Sequence, residues 1–261
     1  MLTMRDFISD SGLHKALDVV ESWVGYTIPA TPMPLQIQEV SRCRMHLNED
    51  TGLFELLFIK EEPQSQAVYC HELSHLIVWI NGAVIKYDFM PPIPGVFFFP
   101  PVRFFNEQIW SYMQHIPVFK LVEELGYDEI FDYTPVVESL ISCIQQNLLF
   151  PDMDARSFAP GKEQVLCQAG EIVKHLSFPV AGETRDALRK AAREIIPQSL
   201  KLADTILSTL GPRTLLGPQE YQEYLSEIHR IAGLPRANLQ FSFLNKTSLD
   251  FRSNIIKATQ I

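Results

Sequence analysis

The sequence lacks long apolar runs, an excess of positive charge and closely spaced cysteines. A transmembrane helix needs about 20 consecutive apolar residues, so no membrane span is expected. The net charge of −9 offers no cationic face for a nucleic acid, and no nucleic-acid partner is expected. The first residues do not place a basic segment before an apolar core, so no secretory signal is expected.

The four cysteines are Cys43, Cys70, Cys143 and Cys167. Zinc knuckles and redox motifs need two cysteines within a few residues of each other, so neither is expected. Reduced thiols and a cytoplasmic location are expected instead. Walker loops, dinucleotide fingerprints and serine-hydrolase elbows are also missing from the sequence, which removes the commonest competing enzyme classes.

What the sequence does contain is His71-Glu72-Leu73-Ser74-His75. Two histidines four residues apart lie on the same face of a helix, close enough to share one metal ion. Glu72 follows the first histidine and can reach a metal-bound water without being a ligand. The flanking residues are apolar, so the helix is expected to be buried. The alternative is a buried helix that holds two hydrogen-bonded histidines by chance.

The stretch from Val68 to Ile77 resembles the active-site helix of the zincin metallopeptidases. This resemblance implies a Zn²⁺ cofactor, a peptide or protein substrate, and an α+β fold in which a helix and antiparallel strands precede the active helix. It also implies that the strand nearest the cleft pairs with an extended substrate. We expect the strand from Leu53 to Lys60 to be that edge strand; an ordinary interior strand is the alternative.

A catalytic zinc usually has three protein ligands and a water. The metzincin arrangement is excluded because position 81 is Asn, and Asp88 lacks the Gly-Thr pair that precedes the aspzincin ligand. Asn106-Glu107 resembles the start of the third-ligand helix in the gluzincins. The resemblance implies that Glu107 completes the metal site with His71 and His75.

Two features complicate that assignment. Trp110 stands where gluzincins keep a small residue, so the helices would have to pack differently. His115 is a rival ligand, because Glu107, Ser111 and His115 share one helical face. One of Glu107 and His115 could bind the metal while the other supports it or the substrate.

These residues predict a zinc-dependent peptidase of gluzincin type, in which Glu72 acts as general base toward a metal-activated water. A further donor should stabilise the oxyanion, and the candidates are Tyr112, His115, Tyr87 and Tyr127. Two alternatives stay open. One is a catalytically silent zincin-like scaffold that binds a protein partner, and the other is a metal-dependent hydrolase of a non-peptide amide.

The hydrophobic pattern predicts an α+β fold with a helical C-terminal subdomain over residues 131–261, and the resemblance implies that residues 1–130 form a zincin-like domain. Helices are predicted at 11–24, 64–80, 105–115, 118–126, 135–150, 160–176, 182–210 with a kink or break at Pro197, and 218–232; strands are predicted at 35–46, 53–60 and 239–243. Pro117 is expected to end its helix. The segment 84–105, rich in proline and aromatic residues, is expected to be a wall or lid over the cleft, or a loop held on the core.

Overall fold

The computed structural model describes residues 2–33, 43–48, 50–59, 64–83, 85–90, 100–149, 161–210, 218–234, 238–242, 244 and 251–259. The chain is mixed α and β, as the sequence predicts, and most of its elements are helices. After a short 3-10 helix (Met4–Phe7), the elements are α1 (Ser11–Val24), β1 (Ala30–Pro32), β2 (Cys43–Asn48), β3 (Leu53–Phe58), α2 (Gln66–Ile80), β4 (Lys86–Met90), α3 (Pro100–Glu124), α4 (Ile130–Gln145), α5 (Lys162–Leu176), α6 (Gly182–Ile195), α7 (Pro197–Leu210), α8 (Pro218–Ala232), β5 (Asn238–Ser242) and α9 (Phe251–Thr259).

The chain divides into two compact units. The first contains Met1–Gly82, Val118–Asp128 and Leu244–Ile261, and the second contains Ala83–Pro117 and Glu129–Phe243. The predicted division into residues 1–130 and 131–261 has a single boundary, whereas the first unit consists of three separate chain segments and the second of two. Helix α3 starts in the second unit, and its last turns, from Val118 onward, belong to the first.

A three-stranded sheet in the first unit has the order β1-β3-β2. β1 is parallel to β3, and β2 is antiparallel to it with Met45 opposite Leu56. The prediction that Leu53 to Lys60 forms the edge strand is therefore wrong, because β3 hydrogen-bonds to a strand on each side. β2 is an edge strand within the described residues. The predicted strand 35–46 is found as Cys43–Asn48; its earlier part lies outside the described residues.

Helix α2 is almost completely buried and lies against β2, α1 and α9 in the first unit. Ser65 caps it by accepting a hydrogen bond from the backbone N–H of Val68 at 3.3 Å. The side chain of Gln66 accepts a hydrogen bond from the N–H of Ser9 at 2.9 Å, which ties the helix start to the N-terminal segment. A helix that is apolar on most sides needs such burial, and this one starts within two residues of its predicted position.

Helix α3 continues through Pro117, contrary to the prediction of two helices separated at this residue. Proline has no N–H for the helical ladder and costs about 3 kcal/mol in a helix interior. Both halves carry buried apolar side chains, Ile109 and Met113 before the proline and Leu121 and Val122 after it. Burial of this continuous face offsets the lost hydrogen bond, which a local breaker rule does not take into account.

The second unit is built from α4 to α8 together with most of α3. Its two-stranded sheet pairs β4 with β5, which confirms the short strand predicted near residue 240. The break at Pro197 and the helix at 218–232 are also confirmed. Helix α4 begins at Ile130, five residues before Pro135, so the predicted start at the proline is wrong.

Two predictions fall wholly or partly on residues that the structure does not describe. Residues 91–99, the centre of the segment proposed as a wall or lid, lie outside the described residues. The predicted helix 160–176 is found as Lys162–Leu176, and residue 160 lies outside the described residues. Among the helices described here, none is both long enough and apolar enough to cross a bilayer.

Candidate metal centre

Helix α2 brings the imidazoles of His71 and His75 together. Their Nε2 atoms lie 3.2 Å apart, and the ring planes are inclined at 73°. Two imidazole ligands with bonds of about 2.0–2.1 Å at a tetrahedral angle would have nitrogens about 3.3 Å apart. The separation therefore suits two ligands of one ion, although it would also suit one hydrogen bond between the rings.

A third imidazole joins this pair. One ligand nitrogen from each of His71, His75 and His115 lies within 4.8 Å of the others. Among the described residues, this is the group of histidine, cysteine or acidic side chains close enough together to share a metal ion. His71 is buried and the other two are partly buried. The ring of Phe119, one turn after His115 on α3, lies 5.5 Å from the ring of His71, so the two helices are in direct contact at this level. A buried group of three imidazoles could hold a metal ion.

The hydrogen bonding of His115 at Nδ1 is compatible with metal binding through Nε2. Its Nδ1 lies 2.5 Å from the carbonyl oxygen of Ser111 and 3.4 Å from that residue's hydroxyl. A carbonyl can only accept, so Nδ1 carries the proton and donates it. The neutral ring then has its lone pair on Nε2. Metal-binding histidines usually have such a carbonyl partner, which fixes the tautomer and orients the ring.

Glu107, the predicted third ligand, is not brought into this group. Its carboxylate accepts a hydrogen bond from Nε of Arg103 at 2.8 Å, one helical turn earlier, and its side chain is half exposed. The preceding residue has a packing role, because buried Asn106 accepts a hydrogen bond from Nε2 of His229 at 2.8 Å. The rival candidate, His115, is the residue of α3 that joins the group.

Glu72 follows His71 on α2 and is almost fully buried, at 8% exposure. Its Oε2 accepts a hydrogen bond from the backbone N–H of Met45, in β2, at 2.5 Å. Burial raises the pKa of the nearby Cys43 thiol far above its usual value, and the charge of Glu72 raises it further. Glu72 is not a member of the group of potential metal ligands found among the described residues.

Aromatic side chains surround the two histidines of α2. The ring of Trp79 lies 5.6 Å from that of His75, and Phe54 of β3 stacks on Trp79 at 5.8 Å. Phe119 covers His71. Apolar walls exclude water and lower the local dielectric constant, so a charge held here would interact strongly with the ligands.

The tyrosines predicted as oxyanion donors make contacts elsewhere. Tyr112 is buried, which raises the pKa of its hydroxyl, and Tyr224 of the same unit lowers that pKa in part. The hydroxyl of Tyr127 donates to Asp10 in the first unit, and burial together with this bond raises its pKa strongly. Tyr87 lies in β4, whose side chains are outside the description. We therefore assign no oxyanion donor.

Comparison of the chain with protein-family models, with characterised proteins and with solved structures found no match. The function is therefore argued from the site. Sequence reasoning identified all three histidines but missed the contact between Glu72 and Met45. These residues are distant in sequence, and neither has a neighbour pattern that marks the pairing.

Proposed function

We propose that the chain is a zinc-dependent peptidase in which His71, His75 and His115 hold the ion and Glu72 is the general base. The observation that carries this proposal is the group of three imidazole nitrogens within 4.8 Å, two of them on a helix that also carries the buried Glu72 one residue after His71. Zinc bound there would polarise the scissile carbonyl and lower the pKa of a coordinated water to about 7.

The donor set supports a catalytic rather than a structural zinc. Structural sites usually have four protein ligands, often cysteines, whereas catalytic sites have three protein ligands and an open position. The group contains three imidazoles and none of the four cysteines, all of which lie in described segments. Imidazole also suits copper, nickel and iron, so metal identity belongs in the test.

The chain's own residues divide the work. The three histidines orient the ion, and the carbonyl of Ser111 holds His115 in the ligating tautomer. Glu72 would accept a proton from the attacking water and return it to the leaving amine. The aromatic rings of Trp79 and Phe119 would keep bulk water away from the imidazoles.

A peptide substrate is supported by two features. The resemblance of Val68 to Ile77 to the zincin active-site helix favours amide-bond hydrolysis. Among the described residues β2 is an edge strand that borders the active helix in the first unit, and an extended peptide would pair with those outward-facing backbone groups of β2 that Glu72 does not occupy. This assignment replaces Leu53 to Phe58, the strand that lies in the middle of the sheet.

The test compares the wild-type chain with Glu72→Gln and with the control Glu107→Gln, using a peptide library read by mass spectrometry and zinc content measured on the same samples. Loss of the general base should lower cleavage by about 100-fold or more without loss of zinc. The control should keep both activity and zinc, because its carboxylate is paired with Arg103 outside the imidazole group.

Two results would contradict the proposal. Glu72→Gln protein that cleaves as fast as wild type would exclude Glu72 as the base. Wild-type protein that holds zinc but cleaves no peptide would favour the scaffold alternative or a non-peptide amide as the substrate.

A further inference from the structure

We propose that the outer edge of β2 positions the general base, with the backbone N–H of Met45 holding one carboxylate oxygen of Glu72 so that the other faces the reacting water. This role rests on the proposed function. Met45 would be a positioning residue that acts through its main chain.

The backbone direction of β2 supports this assignment. The N–H of Leu56 donates to Pro29 and the carbonyl of Phe58 accepts from Met33, so these β3 residues direct their backbone groups toward the β1 side. In an antiparallel pair of strands, two residues that stand opposite each other direct their backbone N–H and C=O groups either both toward the neighbouring strand or both away from it. Because Met45 stands opposite Leu56, its N–H points outward from the sheet.

Burial makes this contact energetically important. Glu72 is 8% exposed, so its carboxylate has lost most of its water and needs donors from the protein. The backbone N–H of Met45 supplies one such donor at 2.5 Å, and hydrogen bonds to an ionised carboxylate are stronger than those to a neutral acceptor. Burial raises the pKa of Cys43, two residues before Met45 on β2, and the Glu72 charge raises it further.

The contact gives the two carboxylate oxygens of Glu72 different roles. The hydrogen bond from Met45 ends on Oε2, which restricts rotation of the group. Oε1 is then the oxygen that would accept the proton from water. A general base must be held within a fraction of an ångström of its working position, and a displacement of about 1 Å can cost about 100-fold in rate.

The first experiment tests the contact without using activity. The chain has seven methionines, so protein labelled with [¹⁵N]methionine gives a simple amide spectrum in which Met45→Leu identifies the Met45 signal. In Glu72→Ala we expect the Met45 amide to exchange about 10-fold faster or more, and its proton signal to move upfield. Glu55→Ala is the matched control, because it removes a carboxylate from the opposite face of the adjacent strand.

The second experiment tests the catalytic consequence. Met45→Pro removes the N–H at an outward-facing edge position, where proline is tolerated, whereas Met45→Leu keeps the N–H and nearly the same volume. With a peptide that the wild-type enzyme cleaves, Met45→Pro should lower kcat by about 10- to 100-fold with KM and zinc content unchanged. Met45→Leu should retain the wild-type kcat.

The outcomes separate this inference from the proposed function. An unchanged Met45 amide in Glu72→Ala would overturn the positioning role even if the enzyme is active and Met45→Pro fails to fold. Equal kcat values for folded Met45→Pro and Met45→Leu would also overturn it. If the amide responds as expected but the wild-type chain cleaves nothing, the proposed function and the catalytic role both fail, while the contact itself stands.

Discussion

Replacing His115 with alanine should nearly abolish tight zinc binding, whereas replacing Glu107 should leave it unchanged. His115 supplies one of the three nitrogens that lie within 4.8 Å of one another. Glu107 is half exposed and paired with Arg103. Loss of a residue that only supports a metal ligand costs about 10- to 100-fold in affinity. Loss of the ligand itself should therefore cost more than about 100-fold, or about 3 kcal/mol.

The affinity of each variant is measured by competition with a chelator of known zinc affinity, and circular dichroism checks that the variants are folded. His115→Gln serves as a second variant that keeps a polar side chain but offers no imidazole. The reasoning is refuted if His115→Ala binds zinc as tightly as the wild type. It is also refuted if Glu107→Ala loses as much affinity as His115→Ala, since the gluzincin arrangement would then hold.

Two further predictions concern stability. Gly170→Ala should lower the free energy of unfolding by about 1–2 kcal/mol in chemical denaturation, because a Cβ there would lie 3.2 Å from Cβ of Gln108 and overpacking outweighs the helix propensity gained. The control is Gly182→Ala, whose Cβ meets nothing within 4 Å and which should be neutral or stabilising. A larger loss of stability in Gly182→Ala than in Gly170→Ala would contradict this packing. Tyr127→Phe should raise the pKa of Asp10 toward its usual value, because the Tyr127 hydroxyl is the largest cause of its lowering. A carboxyl whose pKa is lowered in the folded state stabilises the fold at pH values above its unfolded pKa, and this stabilisation is lost as the pH falls through the folded pKa. The difference in unfolding free energy between wild type and variant should therefore shrink in acid. A difference that does not change with pH would contradict the assignment.

The pair on α2 could be predicted because its spacing is a local property. Residues four apart share one face of any helix, so His71 and His75 had to be neighbours once the helix formed. The apolar flanks predicted both the helix and its burial, and α2 is found at Gln66–Ile80. Nothing in this reasoning needed knowledge of the rest of the fold.

The third member of the group could not be chosen from sequence, because Glu107 and His115 lie on the same helical face. The choice depends on which turn of α3 reaches α2, and the contact between Phe119 and His71 sets that level. One local signal was present: Arg103 precedes Glu107 by four residues, a spacing that favours an ion pair on the helix surface.

The edge of the sheet was beyond sequence reasoning for a different reason. β1 contains three residues and pairs with β3 in parallel, so its pattern is too short to recognise. Without it, Leu53 to Phe58 looks like the outer strand of a hairpin. The partner of Glu72 depends on the same pairing, since the register of β2 on β3 turns the N–H of Met45 outward.

X-ray absorption spectroscopy of the wild-type chain loaded with zinc tests the central claim most directly. The account predicts about one tightly bound zinc per chain, nitrogen or oxygen neighbours at about 2.0–2.1 Å, and outer-shell scattering from three imidazoles. Sulfur scattering at about 2.3 Å, scattering from fewer than three imidazoles, or a chain that binds no stoichiometric zinc would contradict a centre formed by His71, His75 and His115.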